Sequence, residues 1–232
     1  MSEGLEQKFS GIYRRREWTN GSGPGSFPQL NEPLLDYIDR FLVEKQVRSL
    51  VDIGCGDFQL WRSFDFGRCK YTGFDVVPEL IKRNRSRFET SDIKFEEMPA
   101  DLNALPEADV YFVKDVLIHL NNAISIDIVT TCCAKSDFAL FVNNVAADGV
   151  EFNKEIEVGG FRPVDLSLGP FSRDVALAMR YGRVWNYDPS WPHPLARLFR
   201  RKVWPGEKHL QVVVGANVAR FNSTVPTTAP DH

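Results

Sequence analysis

Apolar side chains between Asn31 and Glu44 fall at Leu34, Leu35, Ile38, Phe41 and Leu42, the spacing of one helical face, and predict an amphipathic helix. After it the pattern changes type at short intervals. VRSLVDI (47–53) and YTGFDV (71–76) are short apolar runs that predict buried strands, and DFQLWRSF (57–64) between them predicts a helix. PELIKRNRSRF (78–88) predicts a helix opened by Pro78 in its first turn. IKFEEM (93–98) predicts a third strand, and ADVYFVKDVLI (108–118) holds a fourth that ends near Lys114. A helix over about 122–134 and a fifth strand in SDFALFVNN (136–144) follow. Strands rich in Val, Ile and Phe that alternate with helices at this spacing require crossover connections, and so a parallel sheet covered on both faces. The fold class is α/β, a doubly wound and mostly parallel seven-stranded sheet, closed by two strands in ARLFRRKVW (196–204) and HLQVVVGANV (209–218) with a short turn at WPGE between them.

The flanks read differently. Residues 1–28 join a basic and aromatic run, IYRRREW, to a Gly/Pro/Ser stretch, NGSGPGS, and predict a loop-rich arm ahead of a domain spanning 29–220. Beyond Asn144 the alternation lapses into VGGFRPVDLSLGPF and WNYDPSWPHP. A long ordered loop of this kind, 144–194, is expected to carry function. The polar residues 221–232 predict a disordered tail.

Composition narrows the class. The 232 residues are 43% apolar and 25% charged, which suits one globular domain. Charge is 28 − 31 = −3, so there is no overall cationic field for nucleic acid or an acidic membrane, and neither is expected as a partner. The N-terminus has no apolar h-region and no internal run is long enough for a bilayer, so a cytoplasmic location is expected. Cys55, Cys69, Cys132 and Cys133 form no CxxC pair and read as reduced thiols. The oligomeric state cannot be read from the sequence.

The chemistry concentrates in VDIGCGDF (51–58), at the end of the first strand, followed by Asp75 at the end of the second. Both belong at the carboxyl edge of a doubly wound sheet, where a nucleotide sits in the crevice. Gly54 and Gly56 let the backbone approach a ligand, and the Asp75 carboxylate can accept both ribose hydroxyls. No third glycine follows Gly54 and Gly56 as a dinucleotide fingerprint needs, and Asp52 and Asp57 beside a pyrophosphate would repel it, which favours a cationic ligand. In order, DIGCG, GFDVV, ADL (100–102) and ADVYFVKDVLIHL resemble class I S-adenosylmethionine-dependent methyltransferases over about residues 30–145. The resemblance implies the Rossmann-like methyltransferase fold, with S-adenosylmethionine as cofactor. It places the methionine part on Gly54 and Gly56, the ribose on Asp75, and the adenine amine on Asp101 with Leu102 beside it. The arm with Trp18, the turn GCGDFQ and GGFRPVDL resemble a bacterial-type subgroup associated with glycan or other small-molecule modification. Trp18 and Ser26 of the arm, Asp57 and Gln59 of the turn, Val76 and Lys114 complete the candidate cofactor set, with the arm as a lid.

Methyl transfer from a sulfonium needs alignment, and a base if the acceptor is a hydroxyl. KDVLIHL follows the fourth strand and lacks the Pro-Pro-aromatic and Pro-Cys arrangements that mark enzymes acting on DNA bases. His119 is the candidate base, with Asp115 beside it to orient an imidazole or bind a polar group. The alternative for His119 is a packing role. Arg162 and Asp165 in FRPVDL are candidates to recognise the acceptor or, equally, to pin a long loop. Asp115, Asp165 and Asn143 could gather a divalent ion, but no ligand spacing requires one and no metal is expected. The expectation is O-methylation of a sugar or glycan hydroxyl on a small-molecule acceptor. N-methylation of a small amine, or a non-catalytic cofactor-binding subunit, are the alternatives.

Overall fold

A computed structural model describes residues 2–18, 21–146, 151–182 and 206–215. The elements run α1 (Ser2–Arg14), α2 (Glu32–Glu44), β1 (Ser49–Ile53), β2 (Lys70–Asp75), α3 (Pro78–Phe88), β3 (Ile93–Glu97), β4 (Ala108–Lys114), α4 (Asn122–Lys135), β5 (Ser136–Ala146), β6 (Ala176–Tyr181) and β7 (Gly206–Val214). The strands form one seven-stranded sheet in the order β3-β2-β1-β4-β5-β7-β6. β7 is antiparallel to both its neighbours, and the other pairs are parallel. Ile53 lies opposite Phe74 on one side and Val113 on the other, so β1, β2 and β4 finish level with one another. Strand order reverses between β1 and β4, which opens a crevice at that edge.

Both faces of the sheet are covered, as the apolar runs require. Leu50, Phe112, Phe138 and Leu140 pack with Leu34, Ile38 and Phe41 of α2. Their neighbours along the strands, Val51, Val113, Ala139 and Phe141, pack on the opposite face with Ile128, Val129 and Cys132 of α4 and with Leu5 of α1. The alternation is that of successive side chains in a strand. All four cysteines are free thiols, and Cys55, Cys69 and Cys132 are buried. No helix among the described residues is long and apolar enough to cross a membrane.

Three expectations are corrected. Residues 57–64 form turns, with no helix. Phe58 has φ of 61°, and Trp61 turns into the core, where its indole N–H donates to Asp52 Oδ2 at 2.8 Å. Phe58, Leu60 and Trp61 are all buried. The arm is not loop-rich from its start, because Leu5 and Ile12 are buried on the long helix α1, and only the stretch from Gly21 onward is loop with short 3₁₀ turns. The strand beside β7 is Ala176–Tyr181, far upstream of the segment just before WPGE. That segment (196–204), the loop residues 183–194 and the tail 221–232 lie outside the described residues.

Candidate active site

At the carboxyl edge of β1, β2 and β4 the crevice opens into a cavity of about 1090 Å³, roofed by α1, the arm and the loop 159–161. Its floor begins at Gly54, whose φ of 78° no side chain adopts readily and where a Cβ would meet Val116 Cγ2 at 2.4 Å. The amides of Gly54 and Cys55 donate to the Phe74 carbonyl at 2.7 and 3.0 Å, fastening the turn to β2. Asp75 comes next. Its carboxylate accepts the Gly56 and Val77 amides, each at 2.9 Å, one on each oxygen. Burial pushes the Asp75 carboxyl up to about 6 against the pull of those amides. Val76, Met98 and Leu102 line the apolar wall beside it.

The opposite wall is cationic. At the end of β4, Asp115 takes φ of 56°, and its carboxylate receives Lys114 Nζ and Lys208 Nζ, each at 2.5 Å. Two ammonium groups on one carboxylate leave one positive charge in excess. Burial drives the Asp115 carboxyl upward, but Lys114 and Lys208 outweigh it and hold it well below the usual carboxylate range. Burial brings Lys208 down to about 8 in spite of Asp115. Lys114 also donates to the Gly25 carbonyl at 2.7 Å, tying the arm to the sheet.

His119 closes the third side, at the end of a 3₁₀ turn. Its Nδ1 lies 2.7 Å from the Gly160 carbonyl, which can only accept. Nδ1 is therefore the protonated nitrogen, and in the neutral ring the lone pair is on Nε2. Trp18 stacks on the imidazole with centroids 5.0 Å apart, and Tyr13 meets Trp18 edge-on at 5.4 Å. Burial lowers the His119 pKa, with the Gly160 contact working against it.

Of the residues singled out in the sequence, Trp18, Ser26, Gly54, Asp75, Val76, Leu102, Lys114, Asp115 and His119 line this one cavity. Others are engaged elsewhere. A Cβ on Gly56 would fall 2.1 Å from Ser22 Oγ, so this glycine makes room for the arm. Asp57 accepts the Ser22 hydroxyl at 2.8 Å and, with Gln59, lines a separate pocket. The Asp52 carboxylate points into the core, held by Trp61 and by the Tyr71 hydroxyl at 2.7 Å, so the repulsion expected from Asp52 and Asp57 has no counterpart in the cavity. Asp101 is exposed and caps the short turn after it by accepting the Asn103 amide at 2.9 Å. Arg162 is buried and donates to the Lys154 carbonyl at 2.8 Å, to Ser125 Oγ at 3.1 Å and to Asn122 Oδ1. Asp165 accepts Gln211 Nε2 at 2.8 Å and the Ser167 hydroxyl at 2.6 Å. Both pin the long loop, the second of the two roles considered for them. Among the described residues no three His, Cys, Asp or Glu side chains gather as a metal site.

No protein-family model matches the sequence, and no curated protein matches it. Solved structures do match its shape. Magnesium protoporphyrin IX methyltransferase from Synechocystis PCC 6803, with bound S-adenosylhomocysteine, superposes with a TM-score of 0.55 at 13% identity, covering 90% of this chain and 97% of its own. The N-terminal domain of EvdMO1 with S-adenosylhomocysteine bound gives 0.56 at 11% identity, over 90% and 96% of the two chains. The chain has the Rossmann-like methyltransferase fold. A putative sarcosine dimethylglycine methyltransferase from Galdieria sulphuraria shares it at 0.51 and 12% identity, over 79% and 86%.

Within this methyltransferase fold the cavity also draws on residues that sequence reasoning missed. Lys208 reaches Asp115 from β7, and their separation of 93 residues leaves no local signal. Phe9 and Tyr13 belong to the overlooked helix α1, where the spacing Leu5, Phe9, Ile12 could have revealed a helical face. Phe161 was within reach, one position before the Arg162 that drew attention.

Proposed function

We propose that the chain is a cytoplasmic S-adenosylmethionine-dependent methyltransferase that O-methylates a small polar acceptor, with a sugar or glycan hydroxyl as the favoured group. The observation that carries this reading is the meeting of Gly54, the Asp75 carboxylate and His119 around one cavity at the edge where the strand order reverses. The residues present fit the cofactor. About 1090 Å³ accommodates it together with a small acceptor. Each Asp75 oxygen keeps acceptor capacity beyond its amide bond for a ribose hydroxyl. Val76 and Leu102 offer an apolar slot for a base, and the excess positive charge of Lys114 and Lys208 suits a carboxylate. Asp101 spends Oδ1 on Asn103 and keeps Oδ2 to accept from an adenine amine, with Leu102 beside it on the cavity wall. Gly56 and Asp57 serve the cofactor indirectly, through the arm, and Gln59 lines the separate pocket beside them.

When bound, the cofactor supplies an electrophilic methyl group on a sulfonium. His119 then takes the acceptor proton on Nε2. Its lowered pKa keeps it neutral, and the Gly160 carbonyl fixes both tautomer and ring plane. Trp18, stacked on the ring, excludes water. Asp115 is too weak a base to share this step, and its role is to position the two lysines. The acceptor's class rests on His119: a hydroxyl must give its proton to a base, which a small amine entering neutral does not need, and this sets N-methylation second. D-fucose was present with S-adenosylhomocysteine in one structure of the EvdMO1 domain, a neighbour with a TM-score of 0.54, and makes sugars the first compounds to try. The test is a screen for S-adenosylhomocysteine release over sugars, nucleotide sugars and amines. Turnover with a sugar hydroxyl that is lost with His119 supports the reading; turnover with amines alone overturns it.

A further inference from the structure

A second cavity, of about 580 Å³, lies on the outer side of the glycine turn. Tyr13 lines both cavities, and the latch of Tyr13, Ser22 and Asp57 stands between them. Five arginines line the second: Arg14 and Arg16 at the end of α1, Arg62 in the turns after β1, and Arg83 and Arg87 on α3. Their immediate neighbours find acids, Arg15 with Glu17 at 2.6 Å and Arg85 with Glu96 at 2.6 Å. None of the five makes an ion pair among the described residues. The acids in the lining are Asp57, already engaged by Ser22, and Glu79. Five positive charges against two negative give 5 − 2 = +3 in a chain whose formal charge is −3.

Two features separate this cluster from a solvated basic face. Arg83 and Arg87 stand four apart on one helix, where like charges oppose each other. Arg16 closes α1 in the left-handed region, with φ of 53°, while its own amide and that of Glu17 return to Tyr13 and Ile12, both at 3.1 Å. That is the position where glycine is at ease, and an arginine there costs about 1 kcal/mol. Arg62 lies over the Phe88 ring at 5.6 Å, which holds its guanidinium at the rim.

We propose that this pocket binds a small anion with two or more linked phosphates, of the pyrophosphate or nucleoside polyphosphate class, at a site separate from the methyl-transfer cavity. Guanidinium forks match phosphate oxygens two at a time, and charges from α1, the turns and α3 converge from three directions on one space. The occupant bridges the arm to the body of the domain. Titration of the full chain with sodium pyrophosphate, followed by calorimetry at low salt and at about 0.15 M salt, tests it without reference to the cofactor. One saturable site that weakens with salt is expected. Replacing Arg83 and Arg87 together by Ala weakens it about tenfold or more, and replacing both by Lys weakens it less. Arg16→Gly is the sharper variant: it relieves the left-handed backbone, so the melting temperature holds or rises while pyrophosphate binding falls. Adenosine triphosphate in a parallel titration tells a nucleotide from a free polyphosphate by which binds more tightly. Absence of saturable binding, undiminished binding in the Arg83/Arg87 variant, or tighter binding of a single-stranded oligonucleotide than of either small anion overturns the proposal.

Discussion

The Ser22 hydroxyl is the point at which the arm meets the glycine turn, and its removal should show whether the arm is a lid. The hydroxyl donates to Asp57 Oδ1 at 2.8 Å, accepts the Asp57 amide at 3.0 Å and lies 2.9 Å from the Tyr13 hydroxyl. Because its proton goes to Asp57, Tyr13 is the donor in the third bond. Ser22→Ala removes all three bonds and leaves the Asp57 amide and the Tyr13 hydroxyl without these partners. At about 1 kcal/mol for each bond, with water restoring part of the loss, arm closure weakens by about 2 kcal/mol. Every 1.4 kcal/mol is a factor of ten, so apparent affinity for S-adenosylhomocysteine falls by up to about thirtyfold if only the closed arm completes the site. Calorimetry measures the affinity, and a melting curve checks that the sheet is intact. Gly56→Ala provides the companion experiment, since its Cβ would sit 2.1 Å from Ser22 Oγ. It should weaken binding similarly and also lower stability by about 1–2 kcal/mol, because φ of 56° strains an alanine. A Ser22→Ala protein that binds within about twofold of wild type would refute the lid.

Three further outcomes follow from the same geometry. Asp75→Asn keeps the side chain's shape but sets an amide N–H₂ against the Gly56 or Val77 amide and removes the charge toward the ribose, so affinity should fall about a hundredfold in calorimetry. Since burial puts the Asp75 carboxyl at about 6, wild-type affinity should decline as pH drops through that value and level off above it, and the variant should lack this step. His119→Phe keeps a ring against Trp18 but supplies no base; steady-state turnover should fall about 10²-fold with affinity changed only a few-fold. Because the His119 pKa is lowered, the acid limb of wild-type turnover should lie below the ordinary imidazole value of about 6.5. Lys208→Met removes the excess positive charge; affinity should drop about tenfold, and the decline expected in wild type as pH rises through about 8 should disappear from the titration series.

Strands β1, β2, β4 and β5 were legible because parallel strands buried on both faces must be apolar along much of their length, whereas β3, at the edge, buries Phe95 alone; Asp75 was legible because it stands a fixed distance beyond the glycine turn. β6 was not. Ala176–Tyr181 is an edge strand whose first two residues are exposed and whose buried member is Tyr181 alone, and its apolar residues, Ala176, Leu177, Ala178 and Met179, are helix formers by propensity. The helix expected at 57–64 fails through a partner beyond the window: buried Asp52 needs the Trp61 indole and the Tyr71 hydroxyl as donors. Asp101 also caps a turn: its Oδ1 accepts the Asn103 amide, a local bond that the motif alone does not reveal. For Arg162 the sequence left recognition and loop-pinning equally open. Burial decides between them, because its donors are directed to backbone carbonyls and α4 side chains.

The central claim is that the cavity floored by Gly54 and Asp75 holds S-adenosylmethionine and its product. The most direct measurement is calorimetric titration of S-adenosylhomocysteine into the full-length chain, repeated in the presence of NADH. One molecule should bind per chain, with an affinity that NADH leaves unchanged. No saturable binding of S-adenosylhomocysteine, or its displacement by NADH, would contradict the account.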